Sequence, residues 1–224
     1  MAAALAKRSP RGVGRPRADR SRRARPPQDE ILFAAARLFA ERGFAGTSTR
    51  AIAEAAGLRQ PSLFHWFPSK EAILEALLER TLAPSLAFAE SLASEGGSPT
   101  ERLHRLLLFD VRHLSAYPFD PAILLAPEAR RPRLRRFWAR RERLLGHVRA
   151  LIEQGVRAGE LAPVDPDVAA RAIVGMGESV LLWSRSLRGR DPAALGGEVA
   201  SLALRALLRE PGDLPRLLRR SGEA

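Results

Sequence analysis

The chain has 224 residues, enough for one large domain or two modest ones, and 46% of them are hydrophobic, which is typical of a globular protein. No apolar run reaches the roughly 18 residues that a membrane-spanning helix needs, so we expect no membrane segment. The absence of cysteine excludes disulfides, thiolate nucleophiles and Cys-based zinc sites, and the net charge of +12 suggests a polyanionic partner.

Residues 1–26 carry much of this charge. Nine basic residues, among them Arg15 and Arg17, stand against the single acid Asp19. The stretch is too poor in apolar residues for a signal peptide, and its prolines and glycines would break the amphipathic helix of an organellar transit peptide. We therefore predict a disordered basic arm.

Four helices are predicted in the segment after this arm. Apolar residues recur at helical spacing from Ile31 to Phe39, which predicts a helix over about 28–42 ending at Gly43. A second helix begins at Thr47 or Ser48 and ends at Gly57. A third, short helix runs to Phe67, and Ser69 caps a fourth over about 69–83, which Pro84 should kink or end.

The rest of the chain is also predicted to be helical. Helices are expected over about 100–116, 134–158, 167–187 and 191–209, separated by turns rich in proline, glycine and aspartate. No segment shows the alternating pattern and hairpin signals of strands. The predicted fold class is all-α.

The second and third predicted helices have the features of a helix-turn-helix. Ala53 and Ala56 permit close crossing, Gly57 gives the turn its backbone freedom, and Leu58 fills the angle between the helices. Leu63 and Phe67, four residues apart, should hold the third helix in the core. The opposite face is then free to contact another molecule.

The segment FAERGFAGTSTRAIAEAAGLRQPSLFHWFPSKEAILEALLE resembles the N-terminal DNA-binding domain of the TetR-type transcriptional regulators. The similarity extends from about Ile31 to Leu78 and includes Thr-Ser, Ile-Ala-x-x-Ala-Gly-Leu, Leu-aromatic-x-aromatic-Phe and Ser-Lys-Glu at fixed spacing. It implies a three-helix DNA-binding domain over 27–72, a fourth helix bridging the domains, a helical ligand-binding and dimerisation domain over 73–210, and a C-terminal tail over 211–224.

The resemblance also implies roles for individual residues. The start of the second helix, Thr47 and Ser48, would contact DNA phosphates, and Lys70 would contact another phosphate. The third helix would enter the major groove and place five residues near base edges: Arg59, Gln60, Pro61, Ser62 and His65. Phe64 and Trp66 would lie along the phosphate backbone. In the arm, GVGRPR at 12–17 resembles short segments that enter an A·T-rich minor groove through Arg15 and Arg17, although a nonspecific polycation is an equal alternative.

Some residues depart from the family pattern or have simpler explanations. Arg59 stands where a Ser or Thr usually caps the third helix, and Phe64 replaces a tyrosine. Phe64 is as well explained by packing as by a backbone contact. Lys70 could be an ordinary solvated lysine, but its place at a helix start, where a cation is unfavourable, disfavours that explanation. His65 has no second ligand at metal-binding spacing, so no metal site is expected.

The larger domain should contain the effector site and the dimer interface. Effector-site candidates are Phe88, Phe109, His113, Tyr117, Phe137, Trp138, Met176 and Trp183, each of which is explained singly by a core position. The resemblance implies that the last two main helices pair with their copies in the four-helix interface of a homodimer. Small and apolar residues at helical spacing would contribute to it: Ala172, Gly175, Ser179, Leu182, Val199, Leu202 and Ala206. Eight arginines within 130–143 would suit an anionic ligand or a solvated helix face.

The resulting hypothesis is a ligand-responsive regulator, most simply a repressor that releases a palindromic DNA operator when an unknown small molecule binds. It requires no cofactor and implies a bacterial cytoplasmic, nucleoid-associated location. The alternative is a nonspecific architectural DNA-binding protein led by the arm. No phosphate-cradling loop, His-Glu-x-x-His or Gly-x-Ser-x-Gly motif supports an enzyme.

Overall fold

The computed structural model describes residues 26–116, 134–183 and 189–220. The basic arm with Arg15 and Arg17, and Tyr117, lie outside the described residues. The helices, in chain order, are α1 (Pro27–Arg42), α2 (Thr49–Ala55), α3 (Gln60–Trp66), α4 (Lys70–Ser91), α5 (Pro99–Ser115), α6 (Arg135–Arg157), α7 (Pro166–Trp183), α8 (Pro192–Arg205) and α9 (Leu214–Arg220). Within the described ranges no strand forms, which confirms the all-α prediction.

The predicted caps organise the N-terminal helices. Ser48 accepts a hydrogen bond from the backbone N–H of Ala51 at 3.1 Å, and Ser69 accepts one from Ala72 at 3.1 Å. Gly57 adopts a φ of +68°, a conformation that glycine reaches without strain. Arg59 precedes α3 and makes no side-chain capping bond, as its chemistry requires. Two serine caps and one glycine therefore mark where the helices of this part of the chain begin and end.

Helix α4 continues through Pro84 to Ser91, so the expectation that it could end near residue 83 is wrong. Pro84 has no N–H to donate to the carbonyl of Arg80, one turn earlier. The His113 ring Nε2 of α5 lies 3.3 Å from that carbonyl oxygen and replaces the missing donor in its Nε2–H tautomer. Compensation from a neighbouring helix allows α4 to span both parts of the molecule.

The C-terminal end also differs from the prediction. Helix α8 ends at Arg205 because the chain then turns to pair with residues 160–162: Leu207 accepts from Ala162 at 2.9 Å, and Arg209 donates to Glu160 at 3.1 Å. The predicted tail instead contains a 3-10 turn at Pro211–Asp213 followed by α9. Leu214 is buried in the main core, so this segment packs as part of the domain.

Helix α5 lies at the centre of the larger domain, packed against α4, α6, α7 and α8. Helix α4 contacts α1 on one side and α5 and α6 on the other. One continuous hydrophobic core extends from α1 to Leu214. Helix α4 therefore packs against both the helix-turn-helix and the larger domain.

Two adjacent glycines of α8 provide a stability prediction with an internal control. A Cβ at Gly196 would lie 2.6 Å from Arg112 Cγ and 3.3 Å from the Arg112 backbone nitrogen, whereas a Cβ at Gly197 would meet nothing within 4 Å. Gly196→Ala is expected to lower the free energy of unfolding by about 1–3 kcal/mol through overpacking. Gly197→Ala should raise it by about 0.5–1 kcal/mol through helix propensity.

Chemical denaturation of both variants at one protein concentration tests this close approach of α5 and α8. Equal effects of the two substitutions would contradict it.

Candidate DNA interface and effector cavity

Helix α3 has one buried and one exposed face. Leu63 and Phe67 are buried, which confirms their predicted core role. Phe64 is 44% and Trp66 42% exposed, large values for aromatic side chains, and His65 is exposed beside them with its ring 5.5 Å from that of Trp66. For Phe64 this exposure favours the backbone contact over packing. Arg59, Pro61 and Ser62 are also exposed.

Gln60 connects α3 to α2. Its side-chain amide donates a hydrogen bond to Thr49 Oγ1 at 2.9 Å, and the residue is half-buried. The carbonyl oxygen of the same amide remains an acceptor for a group outside the protein. Gln60 therefore orients the start of α3 and presents a polar atom on its exposed side.

Thr47 and Lys70, two of the expected phosphate contacts, bind carbonyl groups of the protein itself. Thr47 is buried, and its hydroxyl lies 2.8 Å from the Gly43 carbonyl and 3.1 Å from that of Leu38. Lys70 Nζ donates to the carbonyls of Phe44 at 2.6 Å and Thr47 at 2.8 Å, and lies 4.3 Å from the Phe44 ring centroid. These side chains close the loop before α2, whereas the predicted contact Ser48 is exposed beside them.

A cavity of about 550 Å³ lies between α4, α5, α6 and α7. Two of the predicted aromatic residues, Phe137 and Trp138, line it. The remaining described candidates lie elsewhere. The Phe88 ring stacks on that of Phe109 at 4.4 Å, His113 contacts α4 as described above, Met176 is packed against the core, and the Trp183 indole N–H donates to Ser179 at 3.2 Å.

Three charged residues in the cavity wall were missed by the aromatic pattern. They are Asp110 of α5, Arg141 of α6 and Glu178 of α7. Arg141 Nη2 lies 2.8 Å from both carboxylate oxygens of Glu178, and its Nε lies 3.0 Å from one of them. The signal that could have found Asp110 and Glu178 is an acid within an apolar helical run, LLLFDV and GESVLLW respectively.

The environment of Asp110 changes its acidity. Burial raises the pKa of the Asp110 carboxyl to about 6, and the Glu178 carboxylate adds to the increase while the Ser85 hydroxyl and Arg141 oppose it. Asp110 is half-buried as a residue and is part of the cavity wall. At neutral pH it is mainly ionised.

Helices α7 and α8 carry exposed apolar residues. Leu182 is 65% and Leu202 61% exposed, and Ala172, Gly175 and Ala206 are also exposed, as predicted for residues of this face. Ser179 is half-buried, with its hydroxyl donating to Met176 O at 2.7 Å. Val199 differs from the prediction: it is buried within the protomer against Val111, Val180 and Leu195. We keep the name α7–α8 face for the five exposed positions.

The arginines of 135–143 are used mainly in ion pairs. Arg140 pairs with Glu79, Arg141 with Glu178 and Arg143 with Glu90. These pairs favour an ordinary helix surface over a site for an anion. Within the described residues, no group of three or more His, Asp or Glu side chains is arranged for a metal ion, and no helix is long and apolar enough to cross a membrane.

A helix-turn-helix with an exposed recognition face, joined through α4 to a helical bundle with an internal cavity, defines a ligand-binding transcriptional regulator. Residues 31–77 match the family model of the bacterial regulatory proteins of the tetR family, and residues 96–207 match that of the tetracyclin repressor-like C-terminal domain. The chain belongs to the TetR family. It is a ligand-responsive, DNA-binding transcriptional regulator.

Individual relatives agree with this assignment. The transcriptional regulator RutR of Escherichia coli (strain K12) is 33% identical over 160 residues, which cover 66% of this chain and 70% of that protein. The transcriptional repressor KstR2 of Mycolicibacterium smegmatis is 26% identical, covering 83% and 93%. The crystal structure of Mycobacterium smegmatis AmtR is similar with a TM-score of 0.75 and 33% identity, covering 91% and 98%. Both of these curated relatives are regulators of transcription.

Proposed function

We propose that this protein is a repressor that binds a palindromic operator through α3 and releases it when a small molecule occupies the cavity. The observation that carries the proposal is the division of α3 into a buried face, Leu63 and Phe67, and an exposed face with Ser62, His65 and the two aromatic rings. A curated relative over most of the chain is a transcriptional repressor. Binding to chromosomal DNA implies a cytoplasmic, nucleoid-associated location.

In this proposal the exposed residues of α3 have two functions. Arg59, Gln60, Pro61, Ser62 and His65 lie along the major groove, where the Gln60 carboxamide oxygen can accept a hydrogen bond from a base edge. Phe64 and Trp66 lie along the phosphate backbone, and the Trp66 indole N–H is a donor for a phosphate oxygen. Ser48 lies near a phosphate at the start of α2. Thr47 and Lys70 support this surface from within.

Release follows from the position of α4. This helix begins at Lys70, four residues after the end of α3, and contributes Thr81 and Leu82 to the cavity wall. A ligand that favours a different packing of α4 in the bundle changes the separation of the two recognition helices in a dimer. Its differential affinity for the two arrangements sets how strongly the operator is released.

The experiment that tests the DNA-binding surface is the double variant Gln60→Ala/His65→Ala. We expect it to lose at least about tenfold in affinity for the operator, because a base contact is worth roughly 1–3 kcal/mol, and to keep its affinity for unrelated DNA. The operator is first identified by genome-wide mapping of bound DNA, and the affinities are measured by mobility shift.

Thr49→Val is the matched control, since it removes the acceptor for the Gln60 amide and keeps the side chains of Gln60 and His65. Unchanged operator affinity of the double variant would contradict the proposal. Loss of all binding on deletion of residues 1–26, with no preferred sequence, would favour a nonspecific architectural protein.

A further inference from the structure

The cavity contains few polar groups that are free to bind a ligand. The Thr81 hydroxyl donates its proton to the Leu78 carbonyl at 2.7 Å, so toward a ligand it can act only as an acceptor. Arg141 and Glu178 satisfy each other through three hydrogen bonds. Among the charged lining residues that the structure describes, Asp110 is the one that no described arginine or lysine pairs in an ion pair. A positively charged group of a ligand could therefore pair with this carboxyl.

The charges of the wall are unbalanced. Two carboxylates, Asp110 and Glu178, face one guanidinium, Arg141, so the described wall carries one net negative charge when Asp110 is ionised. An anionic ligand would have to separate Arg141 from Glu178, which exposes a buried carboxylate without a partner. A cationic ligand needs no such rearrangement and supplies the missing counter-charge.

The remaining wall is apolar and aromatic. Leu82, Leu114, Leu144, Val174 and Leu181 contribute aliphatic surface, and Phe137 and Trp138 contribute rings that meet edge to face at a centroid distance of 5.2 Å. Aliphatic side chains favour a ligand with a hydrophobic body, and aromatic faces attract cations. Arg141 already occupies such a position 5.6 Å from the Trp138 ring.

We propose that the effector of this regulator is a hydrophobic organic cation, whose charged centre lies against Asp110 and whose apolar groups fill the space beside Phe137 and Trp138. This inference rests on the proposed function, because it names the chemical class of the molecule that occupies the same cavity. Preferential binding of neutral or anionic effectors would contradict it.

The acidity of Asp110 adds a pH signature. The groups facing its carboxyl are Ser85 of α4, Arg141 of α6 and Glu178 of α7. Since burial raises the pKa of Asp110 to about 6, the carboxyl is ionised above that pH and neutral below it. Affinity for a permanent cation should therefore fall as the pH decreases from 7.5 to 5.

The test compares two ions of the same shape and opposite charge, tetraphenylphosphonium and tetraphenylborate. Binding to the full-length protein is measured by calorimetry and by quenching of tryptophan fluorescence, to which Trp138 in the wall contributes. We expect the phosphonium ion to bind at least about tenfold more tightly at pH 7.5, and Asp110→Asn to reduce its affinity by a similar factor.

Two controls separate charge from folding. Glu90→Gln removes a carboxylate of the same bundle that lies outside this cavity and should leave both affinities unchanged. Asp110→Asn should not lower the thermal unfolding temperature at pH 7.5, because a carboxyl whose pKa is raised by folding costs stability when it ionises. A preserved melting transition shows that lost binding does not arise from unfolding.

Three outcomes would overturn the inference: tetraphenylborate binding as tightly as the phosphonium ion, no effect of Asp110→Asn on phosphonium affinity, or no phosphonium binding at millimolar concentration. Each of these leaves operator binding through α3 intact. Conversely, failure of the Gln60→Ala/His65→Ala test would remove the proposed operator contacts without changing the charge preference of the cavity.

Discussion

Replacing both Leu182 and Leu202 with glutamate is expected to convert the dimer into monomers and to weaken operator binding by at least about a hundredfold. Both leucines are more than 60% exposed in the protomer and lie on the α7–α8 face, beside the small residues Gly175 and Ala206. Charges introduced there would face each other across a two-fold interface without partners. A monomer reads one half-site and loses the avidity of two linked contacts, which is typically worth 10²–10⁴ in affinity.

Light scattering after gel filtration measures the mass, and mobility shift measures the affinity. Ala139→Glu is the control because it introduces a glutamate, one negative charge against two in the double variant, at an exposed position of α6 in the groove facing α4. Since neither leucine is buried within the protomer, circular dichroism should show unchanged helix content in the double variant. A dimer that persists at micromolar concentration would show that another surface forms the interface.

The fold could be predicted because its signals are local. Helical spacing of apolar residues, the caps Ser48 and Ser69, and Gly57 each act within a few residues, and all appear in the structure as expected. Pro84 shows the limit of local reasoning. Whether a proline ends a helix depends on a donor from elsewhere, here His113, which is 29 positions away in the chain and was itself expected to line the effector site.

The cavity could be predicted only in outline. Aromatic residues indicate a core, but their number does not say which rings face an internal space and which stack on each other, as Phe88 and Phe109 do. The charged groups Asp110, Arg141 and Glu178 come from three helices, so their meeting depends on tertiary packing. Val199 is another example. The sequence predicts it in the dimer interface, whereas in the structure it is buried inside the protomer because of the orientation of α8.

Lys70 gives the clearest contrast between resemblance and structure. The family pattern places a phosphate contact at this position, whereas its ammonium group lies against two carbonyls from a loop more than 20 residues earlier. Both roles use the same chemistry, because carbonyl and phosphate oxygens are each acceptors for a cation. Only the geometry of the loop before α2 distinguishes the two roles of Lys70, and no local sequence pattern predicts that geometry.

Lys70→Met is expected to lower the free energy of unfolding by about 2–3 kcal/mol, since hydrogen bonds from a charged donor contribute about 1.5–3 kcal/mol and the substitution leaves the carbonyls of Phe44 and Thr47 without this partner. Methionine keeps the length and the apolar character of the stem, so the loss reports on the ammonium group. The loop before α2 should loosen, and operator affinity should fall with it. Urea denaturation measures the stability, and hydrogen exchange at residues 44–49 measures the opening of the loop.

The salt dependence of operator binding separates the two roles of Lys70. A lysine that holds the loop weakens binding at every salt concentration and leaves the slope of log K against log salt unchanged, whereas loss of one phosphate contact reduces the slope by about one per protomer. Arg50→Met is the matched control. Arg50 is an exposed cation of α2 whose ion-pair partner among the described residues is Glu54, so its loss should change the stability by less than about 0.5 kcal/mol. A Lys70→Met variant with wild-type stability and a reduced slope would instead assign this lysine to a contact with the DNA backbone. Loss of a residue that anchors the loop must lower the free energy of unfolding, whereas loss of a phosphate contact need not.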